Sequence, residues 1–459
     1  MRGDANNDQP IQPAPDGRAR LSFFLRAFRS RNYRLYFAGQ LVSMMGTWLT
    51  IAATSWLVYR LAKQSMSGRE AMVLGVVNFS AQIPIFLFAP FFGVWVDRLN
   101  CHRILKVTQL LSMLQSFALA YLALRRIITI PQVIALQAFQ GVINAMDVPA
   151  RQAFVVDLVE SREDLPNAIA MSSSIVHAAR LIGPTVAGYL IYLFKNEGIC
   201  FLVDGFSYLA VLTALMVMKV QLRPRNGKPK HVLHALKEGF VYSFGFPPIR
   251  VILMLVALTS LVAIFLSTLM PIFANQVLGG NERLYGMLLG ASGVGAFTGT
   301  MYLASRQSVL GLGRVIAISN ALLGCAMIAF AKSKILWLSL PILVLTGGSM
   351  VVQMAACNTV LQTLVEDDKR GRVMSIFSMC FMGVTPFGSL LAGYVAKLLG
   401  PPGAVMLAGA VCVVGGACFA FRLNSLRPLV RPIYAQRGIL PEVAQGVQST
   451  AAAASSGQE

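Results

Sequence analysis

Twelve long apolar segments, separated by short charged loops, constrain the fold of this chain more than any other feature. A helix needs about 20 mainly apolar residues to cross a bilayer, and such segments recur through most of the 459 residues. Hydrophobic residues make up 56% and charged residues 13% of the chain. A soluble domain has roughly 45 to 50% apolar and about 25% charged residues. The sequence therefore predicts an all-α membrane protein and excludes an ordinary soluble fold.

The predicted membrane spans form two groups of six. They cover residues 33–59, 71–92, 104–124, 131–150, 168–194 and 199–218, then residues 249–274, 285–304, 315–331, 336–361, 373–399 and 404–421. We expect five parts: an N-terminal cytoplasmic tail (1–32), a six-helix bundle (33–218), a basic cytoplasmic linker (219–248), a second six-helix bundle (249–421) and a partly disordered cytoplasmic tail (422–459). Within the linker, a short amphipathic helix is expected to start at His231.

The distribution of basic residues predicts the topology. Of the 39 lysines and arginines, 28 fall on the side of the membrane that holds both termini and 10 on the other side. Because cytoplasmic loops carry the excess of positive charge, both termini are expected in the cytoplasm and the protein in a bacterial inner membrane. The net charge of +20 is thereby explained by the topology in the lipid bilayer, and no nucleic-acid partner is expected.

The two halves of the chain share short sequence repeats. Leu-Val-Glu occurs at 158–160 and again at 364–366, and Ala-Gly-Tyr occurs at 187–189 and again at 392–394. The two offsets, 206 and 205 residues, are nearly equal. They favour a duplicated six-helix unit, an arrangement in which transporters place the substrate site between the repeats.

A charged loop between the second and third segments carries the first family resemblance. Gly93, Asp97 and Arg98 resemble the Gly-x-x-x-Asp-Arg signature of the major facilitator superfamily. The family pattern continues with a glycine and two basic residues, whereas this chain has Asn, Cys and His at 100–102 before Arg103. The resemblance implies the major facilitator fold, with twelve transmembrane helices in two pseudo-symmetric halves.

Four further motifs are similar to those of the bacterial enterobactin-exporter-like branch of that superfamily. They are Gly-Thr-Trp at 46–48, Asp147-x-Pro149-x-Arg151-Gln152, Arg180-x-x-Gly183-Pro184-x-x-x-Gly188, and Arg-Gly-Arg-Val-Met-Ser at 370–375. This resemblance implies a secondary transporter that exports a small amphipathic molecule, such as a siderophore, a drug or a related metabolite, by rocker-switch alternating access. We expect a monomer that is not an enzyme and needs no cofactor.

The source of energy follows from what the sequence lacks. It contains no Gly-x-x-x-x-Gly-Lys phosphate-binding motif and no soluble catalytic domain, so an ion gradient is expected to drive transport, with protons as the candidate ion. The seven cysteines are scattered without metal-ligand spacing, so no metal site is expected. A facilitated uptake carrier, a lipid flippase and a non-transporting scaffold are the alternatives.

The segment Gly183-Pro184-x-x-x-Gly188 resembles a glycine-proline motif that this superfamily associates with drug–proton antiporters. Proline removes one helix hydrogen bond and glycine permits close packing. Helix 5 is therefore either an element that bends as the halves rock or a static kink, and both interpretations remain open.

Polar residues inside the apolar segments are the candidates for substrate binding and coupling. A charge in the middle of a membrane helix is costly and is expected to face a cavity or a partner. The candidates are Arg180, His177, Asp204, Gln137, Asn144, Trp48, Gln353 and Asn358. His177 is either a proton site or a neutral histidine bonded in the bundle. Gln137 stands where related antiporters often carry a proton-coupling arginine, which weakens the proton inference.

A second group of residues is expected to form a cytoplasmic gate. It comprises Gly93, Asp97, Arg98, Arg103, Asp147, Arg151, Arg370, Gly371 and Arg372. Asp97 is expected to lie against the start of the eleventh segment, where the positive end of a helix favours an acid. Asp147 and Arg151, one helical turn apart, are expected to be a structural pair of this gate and not a coupling site, and solvated charges are the alternative for the loops.

Overall fold

The computed structural model describes residues 26–96, 99–158, 164–218, 232–306, 308–366 and 369–437, and these ranges are helical and contain no β-strand. Ten helical elements in this part of the chain are long and apolar enough to cross a membrane. One of them, Arg370–Gln436, contains two of the predicted segments. The helix Ile130–Leu158 is also long but is not among these ten. The twelve predicted segments are thus all present as helices.

The N-terminal half consists of six helices. They are α1 (Arg31–Ser65), α2 (Glu70–Val96), α3 (Cys101–Leu124), α4 (Ile130–Leu158), α5 (Leu165–Phe194) and α6 (Gly198–Val217). Each contains one predicted segment. The sequence underestimated the length of α1 because polar residues extend the helix beyond its apolar centre at both ends.

The C-terminal half begins with the short helix expected in the linker. Its helices are α7 (Val232–Gly245), α8 (Pro247–Ile272), α9 (Glu282–Ser305), α10 (Leu312–Lys332), α11 (Leu336–Leu364), α12 (Arg370–Ser378) and α13 (Thr385–Gln436). A π-helical turn, Phe273–Val277, follows α8, and another, Met379–Gly383, joins α12 to α13. Helix α13 continues to Gln436, beyond residue 421 at which the last predicted segment ends.

The eleventh and twelfth segments meet at a break inside α13. Gly400 has a φ of 73° and a ψ of 161°, a conformation that side chains other than hydrogen strongly disfavour. Pro401 and Pro402 follow it and have no backbone N–H to continue the helix. Residues 385–399 and 401–436 are therefore two arms, and the chain turns between them.

Residues 100–102, which depart from the family signature, have structural roles at the start of α3. The Asn100 side chain accepts a hydrogen bond from the Arg103 backbone N–H at 3.2 Å and so caps the helix. Cys101 is buried, and His102 Nε2 lies 2.6 Å from the Leu215 carbonyl oxygen at the end of α6. Asp97 and Arg98 lie outside the described residues.

Small residues bring the two halves together along two helix pairs, α5 with α9 and α2 with α13. A Cβ added to Gly188 would lie 2.5 Å from the Glu282 carbonyl oxygen and 2.8 Å from the Gly286 Cα. A Cβ added to Gly75 would lie 2.6 Å from the Ser389 carbonyl oxygen. Glycine therefore allows backbones of opposite halves to touch, as small residues do between membrane helices.

Polar and aromatic contacts also join the two halves near the C-terminal ends of α1 and α8. The Tyr59 hydroxyl and the Lys63 ammonium both donate to Asn275 Oδ1 at 2.7 Å. Trp56 stacks on Tyr285 with ring centres 5.4 Å apart. These contacts link α1 to α9 and to the π-helical turn after α8, and they hold the halves together there.

A buried ionic cluster lies inside the N-terminal half, in the C-terminal part of α4. Asp147 accepts hydrogen bonds from Thr108 at 2.7 Å and from Gln109 at 2.8 Å. It also forms an ion pair with Arg151, one helical turn away, and Arg151 donates to Gln40 at 3.0 Å. The cluster ties α1, α3 and α4 together, as expected of a structural pair.

We expect Asp147→Asn to destabilise the N-terminal half strongly. Removing one partner of a buried ion pair leaves the other charge uncompensated and costs about 3 to 5 kcal/mol. Thermal unfolding of the purified protein in detergent measures the effect. The control is Glu366→Gln, because Glu366 is 64% exposed in its ion pair with Lys369 and such pairs contribute about 0 to 1 kcal/mol. Equal unfolding temperatures for the two variants would contradict a structural role for the cluster.

Candidate functional site

A central cavity with two connected compartments lies between the helices. The inter-half compartment has a volume of about 420 Å³ and is lined by residues of both halves. The N-terminal compartment has a volume of about 230 Å³ and is lined by residues of the first half. Ile51, Ser55, Asn78 and Gln82 line both. The two compartments thus form one cavity with two chemically different walls.

The wall of the inter-half compartment is mostly apolar. Its large apolar side chains include Met270, Leu289, Leu323, Met327, Met350 and Phe381. Arg180 is the one charged residue among the described residues of this wall. A mainly apolar pocket with a few polar groups is typical of sites for small organic ligands.

Arg180 lies midway along α5, and its guanidinium carbon lies 5.6 Å from the centre of the Trp48 ring on α1. Gly183, one turn later, makes this contact possible, because a Cβ there would lie 2.6 Å from the Trp48 Cβ. Arginine over an indole face is a favourable cation–π arrangement. Among the described residues, Arg180 has neither an ion-pair partner nor a hydrogen-bond partner.

Neutral amides line the N-terminal compartment, mainly from α4. Gln137 donates to the Thr54 hydroxyl at 3.3 Å, and Gln140 donates to Asn144 Oδ1 at 3.1 Å. Gln137, Gln140 and Asn144 are spaced three and four residues apart, so they share one face of α4. This polar face of α4 borders the N-terminal compartment.

Asp204 supplies the carboxylate of the N-terminal compartment. It is 1% exposed and accepts hydrogen bonds from Ser116 at 2.7 Å, Thr50 at 2.9 Å and Ser207 at 3.4 Å. Gly46 makes room for it, since a Cβ at Gly46 would lie 2.5 Å from Asp204 Oδ1. The Gly-Thr-Trp motif at 46–48 therefore contacts both buried charges: Gly46 touches Asp204 and Trp48 touches Arg180.

The two halves are also in contact at Gln82 of α2 and Thr385 of α13, next to the π-helical turn Met379–Gly383. The Thr385 hydroxyl lies 2.6 Å from Gln82 Oε1 and 2.6 Å from the Met382 carbonyl oxygen. Pro386 has no N–H to bond the carbonyl of Met382, and the Thr385 hydroxyl occupies that position. Gln82 and Thr385 thus form a polar contact across the cavity.

Three of the candidates from the sequence lie outside the described lining of both compartments. Gln353 is fully buried in the C-terminal half and donates to Thr259 at 3.3 Å. Asn358 accepts from Gln362 on the same helix at 3.0 Å. His177 precedes Arg180 by three residues, and its buried Nδ1 has no hydrogen-bond partner in the described part of the chain.

The candidate gate residues occupy different places. Gly93 is in the last turns of α2, and Arg103 is in the first turn of α3. Arg372 pairs with Glu238 of the linker helix α7 at 2.8 Å, and a Cβ at Gly371 would meet open space. Arg370 begins α12. The linker contact of Arg372 could not be expected from the sequence, because helix pairing decides it.

Sequence reasoning missed several residues of the cavity. Thr50, Ser116 and Gln140 surround the buried carboxylate and the amide face, and Ser260 and Thr385 line the inter-half compartment. The helical spacing of Gln140 between Gln137 and Asn144 was a usable signal. For the hydroxyl residues there was none, because serine and threonine also bond to their own helix backbone.

A model of the family described as "Transmembrane secretion effector" matches residues 24–430. The staphyloferrin A transporter of Staphylococcus aureus is 26% identical over 371 residues, which cover 80% of this chain and 90% of that protein. The multidrug efflux pump Tap of Mycolicibacterium fortuitum is 23% identical over 365 residues, 77% of this chain and 87% of that protein.

Solved transporters share the fold at low sequence identity. A D-xylose–proton symporter superposes with a TM-score of 0.68 at 15% identity, over 84% of this chain and 96% of its own. A bacterial homologue of the human lysosomal transporter Spinster, in an inward-facing and occupied conformation, superposes with a TM-score of 0.67 at 14% identity. The match covers 85% of this chain and 97% of that one. The fold and the relatives are those of transporters and not of enzymes. The chain belongs to the transmembrane secretion effector family of the major facilitator superfamily.

Proposed function

We propose that this protein exports a small amphipathic molecule, such as a siderophore, a drug or a related metabolite, across a bacterial inner membrane in exchange for protons. The observation that carries the proposal is the cavity of about 420 Å³ between the halves, whose wall is apolar apart from a few polar groups. The printed functions of two relatives, a siderophore transporter and a multidrug efflux pump, support it. The monomer and the cytoplasmic position of both termini belong to the same proposal.

Rocker-switch alternating access is supported by the way the halves meet. Between α5 and α9, and along part of α2 and α13, glycine surfaces bring the backbones of the two halves together. Elsewhere in the α2–α13 contact, Phe387 packs against Phe79 and Phe86. The glycine surfaces permit the halves to tilt about the central cavity. Gly188 and Pro184 lie in the α5–α9 interface, where a helix 5 that bends would assist the tilting, whereas a static kink would serve only the close packing.

Asp204 is our candidate for the proton carrier. Its carboxylate is buried against the N-terminal compartment and is held by hydroxyls of α1, α3 and α6. Gaining a proton would turn one of its oxygens from an acceptor into a donor. The Thr50 hydroxyl would then accept a hydrogen bond from Asp204 instead of donating one. Because Thr50 belongs to α1, this rearrangement would affect the helix that contacts both halves. His177 is the alternative carrier.

The cytoplasmic latch remains part of the proposal. Asp97 and Arg98, which lie outside the described residues, would close against Arg370, Gly371 and Arg372 when the transporter faces outward. A latch of this kind biases an equilibrium between two states through contacts made in one of them.

An uptake carrier or a lipid flippase would share this fold, and transport direction separates them from the exporter. The compound is first identified by comparing metabolites released by deletion and overexpressing cells. In everted vesicles with an acidic lumen, we expect that compound to accumulate inside and to release protons from the lumen. Accumulation without proton release would refute antiport. Accumulation only in right-side-out vesicles would indicate uptake, and none in either would favour a scaffold.

We expect Asp204→Asn to lower gradient-driven accumulation in everted vesicles at least tenfold, because an amide cannot take up and release a proton at this position. Downhill efflux of the preloaded compound should persist, and Asp204→Glu should retain part of the coupling. Glu366→Gln, which removes an exposed carboxylate, is the control and should behave as the wild type. Full accumulation by Asp204→Asn would exclude Asp204 as the carrier.

For the latch, Asp97→Asn should impair transport while the protein still inserts into the membrane. Loss of the negative charge removes the attraction to the first turn of α12 and to its arginines. Transport rate per inserted molecule, with insertion measured by immunoblot of washed membranes, tests this expectation. A wild-type rate would refute the latch.

A further inference from the structure

Arg180 places a positive charge in the inter-half compartment that the protein leaves unmatched. Among the described residues, no carboxylate forms an ion pair with it, and its contact is the apolar face of the Trp48 ring. Arg180 lines the compartment together with Ser260, whose buried hydroxyl has no hydrogen-bond partner in the described part of the chain. Among the described residues, Arg180 is thus a charged residue of the cavity wall without a charged protein partner.

Two other charges buried within the helices, Arg151 and Asp204, have protein partners. Arg151 is paired with Asp147 and bonded to Gln40. Asp204 is surrounded by three hydroxyl groups. Arg180 has no such partner among the described residues, although a charge at the middle of a membrane helix is costly without one.

While the cavity holds water, water solvates the guanidinium. During alternating access the substrate must displace much of that water, because the compartment closes around it. A neutral or cationic substrate would leave Arg180 desolvated without compensation, and a cation would also be repelled by it. An anionic group on the substrate would supply the missing partner, and a carboxylate can accept two parallel hydrogen bonds from the guanidinium.

We infer that the substrate is an amphipathic carboxylate. Its carboxylate binds Arg180, and its apolar body lies against the wall formed by Met270, Leu289, Leu323, Met327, Met350 and Phe381. Trp48 positions the guanidinium by holding it over the indole, and Gly183 positions Trp48. The inference rests on the proposed transport function, because it assigns the chemical class of the molecule carried.

Asp204 does not provide an equivalent site for a cationic substrate. It lies in the N-terminal compartment, and its carboxylate oxygens already accept hydrogen bonds from Ser116, Thr50 and Ser207. The wall of the inter-half compartment includes no acidic residue among those described. The net charge of this wall is therefore positive, which selects against cations.

Three probes that share one apolar body test the inference: pyrene-1-butyrate, its uncharged primary amide, and 4-(pyren-1-yl)butylamine. Binding to the full-length protein in lipid nanodiscs is measured by equilibrium dialysis against empty nanodiscs. We expect the carboxylate to bind at least tenfold more tightly than the amide, and the amine to bind most weakly. Equal affinities, a preference for the amine, or no binding by any probe would overturn the inference.

Substitutions at Arg180 assign the preference to its charge. Arg180→Gln and Arg180→Met should abolish the difference between carboxylate and amide, whereas Arg180→Lys should retain most of it. Arg283→Gln removes an exposed arginine that is not among the described lining residues and should leave the preference unchanged. A preference that persists in Arg180→Gln would overturn the inference. Binding without a gradient is independent of direction and coupling, so its failure is distinguishable from failure of the export proposal.

Discussion

The architecture depends on the close approach of backbones between the two halves. Where Gly188 faces Gly286, and where Gly75 faces Ser389, no side chain separates the helices. In a membrane, apolar side chains gain little by leaving lipid for protein, so close packing of small residues is what draws helices together. These contacts join the two halves along two helix pairs, and a cavity remains between the other helices. The space for a substrate is thus a consequence of where the glycines are.

The buried charges divide the molecule into structural and functional regions. Asp147 and Arg151 compensate each other within one bundle, together with neutral side chains of α1 and α3. Asp204 accepts hydrogen bonds from hydroxyls of α1, α3 and α6. Arg180 has an indole face and a cavity. The three sites thus differ in their partners: Asp147 is paired with an arginine, Asp204 accepts hydrogen bonds from neutral hydroxyls, and Arg180 borders a cavity.

One short motif connects these regions. Gly46 leaves room for Asp204, and Trp48 lies against both the Arg180 guanidinium and Gly183. Residues on neighbouring turns of α1 thus touch the candidate proton carrier and the candidate substrate-binding arginine. A displacement of α1 would affect both sites together, as exchange of a proton for a substrate requires. The sites need not touch each other for such coupling, since both contact the same rigid helix.

The sequence by itself determined the class of the protein, the twelve segments and the presence of buried charges. The bilayer imposes a minimum length and an apolar composition on every crossing helix, and both properties are local. Family signatures likewise lie in contiguous residues. Helix ends were less accurate: α1 and α13 extend past their apolar centres because polar residues continue a helix once it emerges from lipid.

Only the tertiary structure decided which polar residues border the cavity. Gln353 and Gln140 look alike in sequence, yet Gln353 packs against Thr259 inside one half and Gln140 borders the N-terminal compartment. Likewise, Asp147 and Asp204 are both acids in apolar segments, but one is paired with an arginine and the other is held by hydroxyls. Helical periodicity shows which residues share a face, whereas the partner of that face depends on packing between distant segments. That packing is set by the summed fit of all the helices, which no single segment contains.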